Sequence, residues 1–395
     1  MKILFLLLQK AEEGQGSNMY TDLIEEFHNN GHDVTIMAPS NNGKTYKATE
    51  SKLKVIRVNA LPTQNIKNLI RKGVGLAMLP YFFKKAYKQH LRNQEFDWII
   101  MPTPPITLVD FVTFVKKETQ AKFYLILRDI HPQSAASIGL IKNKQMYNYL
   151  ERRASKGYHI ADKIGCMSQG NIDFIRTNYP SIDPEKVVLL YNWQKESKQQ
   201  TNGEDDIRKK YNLDNKIVAL FGGTIGYGQR VENLYDLAKH YRERKKVVFL
   251  IVGRGVEKDR LELMAKEENL TNMMFLDFLP RDDYLTLVSS ADIGLISINE
   301  NYKVPTCPSK AVAYMALGIP VFAMINPNSD YGDFIQNSGA GYWAVGNDKE
   351  NVYNNFDKIA SSDALRKQMS EAGRAFYLKE LTSEVAFKTM INQMR

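Results

Sequence analysis

A glycine-rich turn in the second half of the chain has the residue types that bind phosphate. It comprises Phe221–Gly228 and connects an apolar run, Ile217–Phe221, to a helical pattern, Val231–Tyr241. Glycines let backbone N–H groups approach an anion, and a helix start adds partial positive charge. The turn alone leaves two interpretations open, a phosphate site or a tight strand–helix connection.

Two basic residues lie beside similar turns. Arg254 follows the apolar run Val247–Val252, between two glycines, and is either a phosphate or base contact or a solvated loop arginine. Lys310 follows Ser309, a candidate N-cap, and therefore lies in the first turn of a predicted helix. Because a cation there opposes the helix dipole, we expect Lys310 to serve an anion, with an exposed structural lysine as the alternative.

The first half carries a charged turn, Arg128-Asp129-Ile130-His131-Pro132, after the apolar run Phe123–Leu127. Open α/β sheets bind ligands beyond the carboxyl ends of their strands. We therefore expect Asp129 and His131 to orient a substrate hydroxyl. The alternative is a plain salt bridge between Arg128 and Asp129.

A second turn in this half is Glu13–Ser17, which opens the helical pattern Met19–Asn29. It is typical of a turn that faces phosphate or sugar, but it lacks the full dinucleotide fingerprint.

Buried strands must position these turns. Continuous apolar runs of strand length alternate with helical patterns, as in parallel sheets covered on both faces. The predicted strands are Lys2–Leu8, Asp33–Ala38, Leu53–Val58, Trp98–Met101, Phe123–Leu127, Lys163–Met167, Val187–Leu190, Ile217–Phe221, Val247–Val252, Met273–Leu276, Ile293–Ile298 and Val321–Met324. A polar stretch, Gln194–Asn215, is typical of a linker. The pattern predicts two doubly wound α/β domains, 1–195 and 196–375, followed by a terminal helix over 376–395. Whether that helix crosses back to the first domain stays open at this point.

Composition narrows the function classes. The chain has 395 residues and a net charge of +9, which indicates an anionic partner. Two cysteines permit no disulfide framework, and six scattered histidines show no zinc spacing, so no metal site is predicted. No apolar stretch is long enough for a transmembrane helix, and no nucleic-acid motif is present.

The segment 66–93 mixes basic and large apolar residues and contains no acidic residue. This is typical of a segment that lies on an anionic membrane. Gly73, Gly75 and Pro80 predict two short helices or a helical hairpin. The alternative is a core-facing stripe with a solvated basic face.

Taken together, these motifs resemble family 4 of the retaining glycosyltransferases. The likeness is strongest to its bacterial branch for capsule, O-antigen and exopolysaccharide synthesis, which includes N-acetylfucosaminyl and colanic-acid transferases. It covers nearly the whole chain. The motifs that carry it are Gly14–Ser17, Gly31–Thr35, Arg128-Asp129 with Pro132, Tyr191–Trp193, Gly223–Gly226, Leu279–Arg281, Ala291–Leu295 and Pro308–Lys310 through Pro320.

The resemblance implies a GT-B fold, with two Rossmann-like domains facing across a cleft. It implies transfer of a hexosyl or N-acetylhexosaminyl group from a nucleotide sugar, most simply a UDP-sugar, to a polyprenyl-diphosphate-linked acceptor. The enzyme would be cytoplasmic, on the inner face of the cell membrane, without a metal or other cofactor. The implied donor residues are Gly223, Thr224, Ile225, Gly226, Arg230, Arg254, Leu279, Pro280, Ser309 and Lys310. The implied acceptor residues are Gly14, Gly16, Ser17 and Arg128, and the implied catalytic residues are Asp129, His131 and Lys310.

Two departures from the family pattern concern donor binding. The usual pair of glutamates falls on Pro305 and Ala313, and the usual Arg and Lys of the donor loop fall on Thr224 and Gln229. Lys310, Arg230 and Arg254 would then supply the positive charge. Two alternatives remain, a nucleotide-sugar 2-epimerase of the same layout and a non-catalytic partner subunit.

Overall fold

The computed structural model describes residues 1–8, 18–40, 43–50, 52–61, 69–196, 204–279 and 281–395. The chain forms two compact units. The first comprises Met1–Tyr191 together with Ala386–Arg395, and the second comprises Asn192–Val385.

In its described residues, the first unit is built on an eight-stranded sheet in the order β3-β4-β2-β1-β5-β6-β7-β8. All neighbours are parallel except the antiparallel pair β3–β4. Strands such as Trp98–Pro102 are buried at every position, because helices cover both faces of a parallel sheet. The strands are β1 (Lys2–Leu6), β2 (Asp33–Pro39), β3 (Tyr46–Glu50), β4 (Leu53–Val58), β5 (Trp98–Pro102), β6 (Lys122–Leu127), β7 (Lys163–Cys166) and β8 (Val187–Leu189).

The helices of this unit are α1 (Met19–Asn29), α2 (Leu69–His90), α3 (Val109–Thr119), α4 (Gln133–Ser137), α5 (Lys144–Ile160) and α6 (Gln169–Asn178). Short 3-10 turns occur at Ile106–Leu108 and Pro184–Lys186. The predicted α1 is confirmed at both ends. Asn18 caps it by accepting hydrogen bonds from the N–H groups of Tyr20 and Thr21, and Phe27 lies on its buried face.

The prediction of two pieces within 66–93 is wrong for the described residues, because α2 is a single helix of 22 residues with Pro80 inside it. Proline removes a backbone donor and usually kinks or ends a helix. Here Leu79, Phe83 and Tyr87 are fully buried around the proline. Their packing therefore outweighs the local preference to break. No helix in the described ranges combines the length and hydropathy that a bilayer-crossing segment needs.

The second unit contains six described strands, all parallel, in the order β11-β10-β9-β12-β13-β14. Its core includes Phe356, whose ring contacts the rings of Phe249 and Phe322. The strands are β9 (Ile217–Thr224), β10 (Val247–Arg254), β11 (Met273–Leu276), β12 (Ile293–Ser297), β13 (Val321–Ile325) and β14 (Gly341–Val345). The helices are α7 (Glu204–Lys210), α8 (Glu232–His240), α9 (Lys258–Glu267), α10 (Arg281–Ser289), α11 (Lys310–Ala316), α12 (Tyr331–Asn337), α13 (Lys349–Ala360), α14 (Asp363–Glu380) and α15 (Ser383–Met394).

Helix α15 begins in the second unit, and from Ala386 onward it belongs to the first. In the first unit the Phe387 ring lies 5.0 Å from the Phe27 ring, centroid to centroid. The Gln393 side chain accepts from the Tyr124 hydroxyl at 2.5 Å and donates to the Leu189 carbonyl at 2.8 Å. The chain therefore connects the two units twice.

The linker predicted over Gln194–Asn215 needs correction, because part of it is the helix Glu204–Lys210. Arg208 on that helix donates to the carbonyls of Ser290 and Lys216, which fixes α7 against the second unit. The sequence pattern also missed two edge strands, Tyr46–Glu50 and Gly341–Val345, which are only partly buried.

Candidate active site

The carboxyl edge of the second sheet is shaped by a close approach between β9 and β10. Gly223 and Gly253 are direct partners in the parallel ladder, with φ angles of +129° and +144° that side chains rarely permit. A Cβ atom at Gly253 would collide with the Gly223 carbonyl oxygen. The two glycines are therefore required for this backbone arrangement.

The segment 224–229 begins at the last residue of β9 and is called the amide loop below. Asn299 fixes it, since its backbone N–H donates to the Gly228 carbonyl and its side chain to the Tyr227 carbonyl, both at 2.9 Å. In the described part of the chain, the N–H groups of Gly226, Tyr227 and Gly228 have no acceptor. A run of free amides next to a sheet edge is suited to bind an anion.

Lys310 lies against Phe221 and Gly223, which directly precede the amide loop. It is the first residue of α11, as predicted, and Ser309 occupies the N-cap position without a side-chain capping bond. The Lys310 Nζ atom lies 5.0 Å from the centroid of the Phe221 ring, and a Cβ atom added at Gly223 would lie 3.0 Å from Lys310 Cε. No carboxylate pairs with it among the described residues. Burial lowers the pKa of Lys310 to about 8.

Arg230 and Arg254 at this edge differ in whether a carboxylate pairs with the guanidinium group. Arg230 forms an ion pair with Glu300, whose side chain is only 7% exposed. The charge of Arg230 is therefore largely neutralised within the protein. Arg254 is exposed, with its guanidinium carbon 4.8 Å from the centroid of the Phe278 ring. Phe278 is itself 63% exposed, so an arginine and an aromatic face meet solvent together.

Leu279 follows Phe278 and is partly buried, while Pro280 lies outside the described residues. Gly14, Gly16 and Ser17 also lie outside them. Of the proposed acceptor side, the structure therefore describes only the turn after β6.

That turn carries Arg128, Asp129 and His131 at the carboxyl edge of the first sheet. Arg128 hydrogen-bonds to the hydroxyl of Tyr20 on α1, and its N–H donates to Thr103 Oγ1 at 3.2 Å. Burial raises the pKa of Asp129. The nearby Ser134 hydroxyl, which lacks full hydrogen-bond geometry, and the charge of His131 act in the opposite direction. A carboxyl group with a raised pKa beside a histidine is suited to accept a proton from a bound hydroxyl.

The structure thus brings Gly223–Gly226, Lys310 and Arg254 to one edge of the second unit, and Arg128, Asp129 and His131 to one edge of the first. The sequence analysis missed Asn299, Glu300 and Phe278. Phe278 carried a usable signal, since it follows an apolar strand at the carboxyl edge, where open α/β sheets bind ligands. The roles of Asn299 and Glu300 depend on contacts some 70 residues away in sequence. In the described ranges no three His, Cys, Asp or Glu residues are placed to hold a metal ion.

Known structures share this architecture over the whole chain. Sucrose-phosphate synthase from Thermosynechococcus elongatus superposes with a TM-score of 0.76 over 99% of this chain and 97% of its own, at 16% identity. The Anabaena protein Alr3699/HepE, solved in complex with UDP-glucose, gives a TM-score of 0.70 over 100% and 99%, at 15% identity. Two Rossmann-like units of parallel strands define the GT-B class, and the predicted GT-B fold is confirmed.

Within that class, residues 203–376 match the family model described as "Glycosyl transferases group 1". The chain is also 26% identical over 343 residues to WcaI of Escherichia coli strain K12, which is named as a colanic acid biosynthesis glycosyl transferase. That match covers 80% of this chain and 82% of WcaI. Nothing in these likenesses favours an epimerase.

Proposed function

We propose that the protein is a retaining glycosyltransferase that moves a hexosyl or N-acetylhexosaminyl group from a UDP-sugar to a polyprenyl-diphosphate-linked saccharide. The observation that carries this proposal is the pairing of free amides with an ammonium group. Lys310 lacks a carboxylate partner among the described residues and lies against Phe221 and Gly223, directly before the amide loop. A diphosphate would satisfy both groups at once.

The rest of the donor has candidate contacts on the same edge. Arg254 and Phe278 offer a cation and an aromatic face to a nucleobase, and bases stack readily on such surfaces. The complex of HepE with UDP-glucose supports UDP as the nucleotide. The name of WcaI supports a role in bacterial surface polysaccharide synthesis, such as capsule. An N-acetylfucosaminyl-type donor is the finer form of the proposal.

Departure of a nucleoside diphosphate places negative charge on the phosphates. Preorganised amides and a cation stabilise such charge without a metal ion. We therefore expect no cofactor requirement.

A panel of nucleotide sugars tests donor and metal dependence together. Binding is measured by calorimetry, and transfer to a polyprenyl-diphosphate-linked saccharide is followed by mass spectrometry, with EDTA and with Mg²⁺. We expect UDP-sugar binding, and a transfer rate in EDTA within about twofold of the rate in Mg²⁺. Activity lost in EDTA and restored by Mg²⁺ or Mn²⁺ contradicts the metal-free mechanism, and absence of any nucleotide binding contradicts the enzyme.

A lipid-linked acceptor makes attachment to the inner face of the cytoplasmic membrane useful, and α2 has a suitable surface. One face buries Leu79, Phe83 and Tyr87 in the first unit. Three apolar side chains on the opposite face are exposed: Val74 by 50%, Met78 by 39% and Tyr81 by 59%. Because these positions are three and four residues apart, they share one side of the helix.

Basic residues border this exposed side. Arg71 precedes Val74 by three positions and Lys85 follows Tyr81 by four, and both are exposed. Lys84 and Lys88 instead lie over the Phe114 ring, at 4.3 and 5.7 Å from its centroid. Apolar residues flanked by cations fit an anionic lipid surface. The part of the segment 66–93 at 66–68 lies outside the described residues.

Vesicle binding checks this surface. Wild type should sediment with vesicles containing anionic phosphatidylglycerol, less so as salt rises. Changing Arg71 and Lys85 to Glu should weaken the partition at least tenfold, because each basic residue near the surface contributes about 1 kcal/mol. Changing Met78 and Tyr81 to Ser should weaken it as well, by removing the inserted apolar area.

The matched control reverses the exposed Lys245 and Lys246 of the second unit, which alters net charge equally. Equal binding by all four proteins, or no wild-type binding at low salt, contradicts membrane attachment through α2.

A further inference from the structure

The segment 302–308, which leads into Lys310, has no regular secondary structure, yet five of its backbone carbonyls accept hydrogen bonds from side chains. Four of the five are bound from a single neighbouring segment, 326–331, which follows β13. The fifth, the Cys307 carbonyl, accepts from Asn192 Nδ2 at 2.9 Å. Side chains therefore hold this stretch of backbone in the way that a helix or a sheet would.

Asn326 lies at the centre of this arrangement and is fully buried. Its Nδ2 group donates to the carbonyls of Tyr302 and Val304, at 3.2 and 3.1 Å. Its Oδ1 atom accepts from Thr306 Oγ1 at 2.7 Å. Both hydrogens of the amide group and its oxygen are thus used across the segment 302–308.

Three neighbours of Asn326 extend the support. Asn328 Nδ2 donates to the Tyr302 carbonyl at 2.9 Å, and Ser329 Oγ donates to the Thr306 carbonyl at 2.8 Å. The Tyr331 hydroxyl donates to the Pro308 carbonyl at 2.5 Å, two residues before Lys310. A buried carbonyl that loses its donor costs free energy, so each bond opposes displacement of the backbone.

We propose that Asn326 is a positioning residue for donor binding: it fixes the segment 302–308 so that the Lys310 ammonium already lies beside the amide loop before the nucleotide arrives. This inference rests on the proposed role of Lys310 as a diphosphate ligand. In this proposal Asn326 preorganises the donor site without contacting the donor itself. An ordered backbone here spares the donor the cost of ordering the site when it binds.

Calorimetry with UDP as the probe tests the inference on the full chain. Asn326→Ala should weaken UDP binding about ten- to hundredfold, as expected when a charged contact is misplaced by an ångström or so. Tyr331→Phe keeps the ring, removes the hydroxyl that donates to the Pro308 carbonyl, and should weaken UDP binding by a smaller factor. It serves as the second variant if Asn326→Ala does not fold.

Asn272→Ala is the matched control. Asn272 is also a buried asparagine of the second unit that donates to a main-chain carbonyl, that of Ala238 at 2.8 Å, but it precedes β11 at the opposite edge of the sheet. Its replacement should lower the thermal midpoint and leave UDP affinity unchanged. If Asn326 has only a structural role, Asn326→Ala should likewise lower the thermal midpoint and leave UDP affinity unchanged.

A second readout is the pH at which UDP affinity begins to fall. Wild type should lose affinity above about pH 8, where Lys310 becomes neutral, and Asn326→Ala should shift that midpoint upward because a loosened lysine gains solvent. Folded Asn326→Ala and Tyr331→Phe proteins that match wild type in UDP affinity and in this midpoint contradict the positioning role of Asn326. If Lys310→Met binds UDP weakly in the same experiment, the proposed function still stands. If Lys310→Met binds UDP as wild type does, the proposed function fails together with the positioning role.

Discussion

Replacing Lys310 with methionine is expected to weaken UDP binding by about ten- to hundredfold and, at the same time, to stabilise the folded protein at pH 7. The first effect follows from loss of a charge-assisted contact with the diphosphate, which contributes about 1.5–3 kcal/mol. The second follows from the surroundings of the ammonium group, beside the Phe221 ring and without a carboxylate partner among the described residues. Methionine fills a similar volume without a charge to desolvate.

The sign of the stability change comes from proton binding. Burial lowers the pKa of Lys310 from 10.5 to about 8, so between these values the unfolded chain binds more protons than the folded one. The charged lysine therefore costs stability below pH 8, and that cost fades as the pH rises through 8 toward 10.5. Lys310→Met should gain about 1–3 kcal/mol in the free energy of unfolding at pH 7, and less at pH 10.

Denaturant unfolding at the two pH values, together with UDP calorimetry, measures both effects. Lys303→Met is the control, because Lys303 is an exposed lysine of the same 302–308 segment. It should change neither quantity appreciably. A Lys310→Met protein that binds UDP normally, or that is less stable than wild type at pH 7, contradicts this account of the site.

Replacing Asp129 with asparagine is expected to lower kcat by about 10²–10⁴-fold with little change in UDP affinity, since a positioned general base contributes a factor of this size. His131→Ala should also lower turnover more than donor binding. Burial raises the pKa of Asp129, so the carboxylate that accepts a proton forms only above the ordinary value near 3.8. The wild-type kcat should therefore rise with pH through the raised pKa, and Asp129→Asn should lose that limb of the profile.

A stability measurement separates this role from a structural one. Because the folded pKa of Asp129 is raised, its contribution to stability is present at low pH and lost as pH rises through that pKa. Asp129→Asn should then be at least as stable as wild type at pH 7. Asp173→Asn, an exposed aspartate on α6, is the control and should leave kcat unchanged. Equal losses of donor affinity and turnover, or no loss of either, would place Asp129 away from the acceptor.

Much of the fold was predictable because buried parallel strands have a simple signature. Met273–Leu276 has the predicted bounds because its continuous apolar run lies between two polar residues, Asn272 and Asp277. Leu53–Val58 also has the predicted bounds, although it contains Lys54 and Arg57. The edge strand Tyr46–Glu50 was missed because it is largely exposed and mixes polar with apolar residues. Gly341–Val345 was missed because its glycine, aromatic and small residues do not form a continuous aliphatic run. The continuity of α2 across Pro80 escaped because tertiary packing overrode a local breaker.

Part of the candidate site could be predicted from the sequence, because glycine-rich and charged turns indicate where the strands end. Glycine spacing and the Pro308-Ser309-Lys310 motif indicated which backbone turn and which lysine meet at the carboxyl edge of the second sheet. The pairing of Arg230 with Glu300 could not be predicted, because it joins residues 70 positions apart. The same holds for Asn326, whose partners lie on another loop and whose residue type alone is typical of a turn.

The return of the chain from the second unit to the first, at Ala386, bears on how the protein folds during synthesis. The first unit is not finished by residues 1–191, because Phe387 covers Phe27 and Gln393 bonds to Tyr124 and Leu189. Every residue of the second unit leaves the ribosome before these contacts can form. Although domains usually fold in chain order, the native packing of the first unit therefore requires residues that follow the whole second unit in the chain.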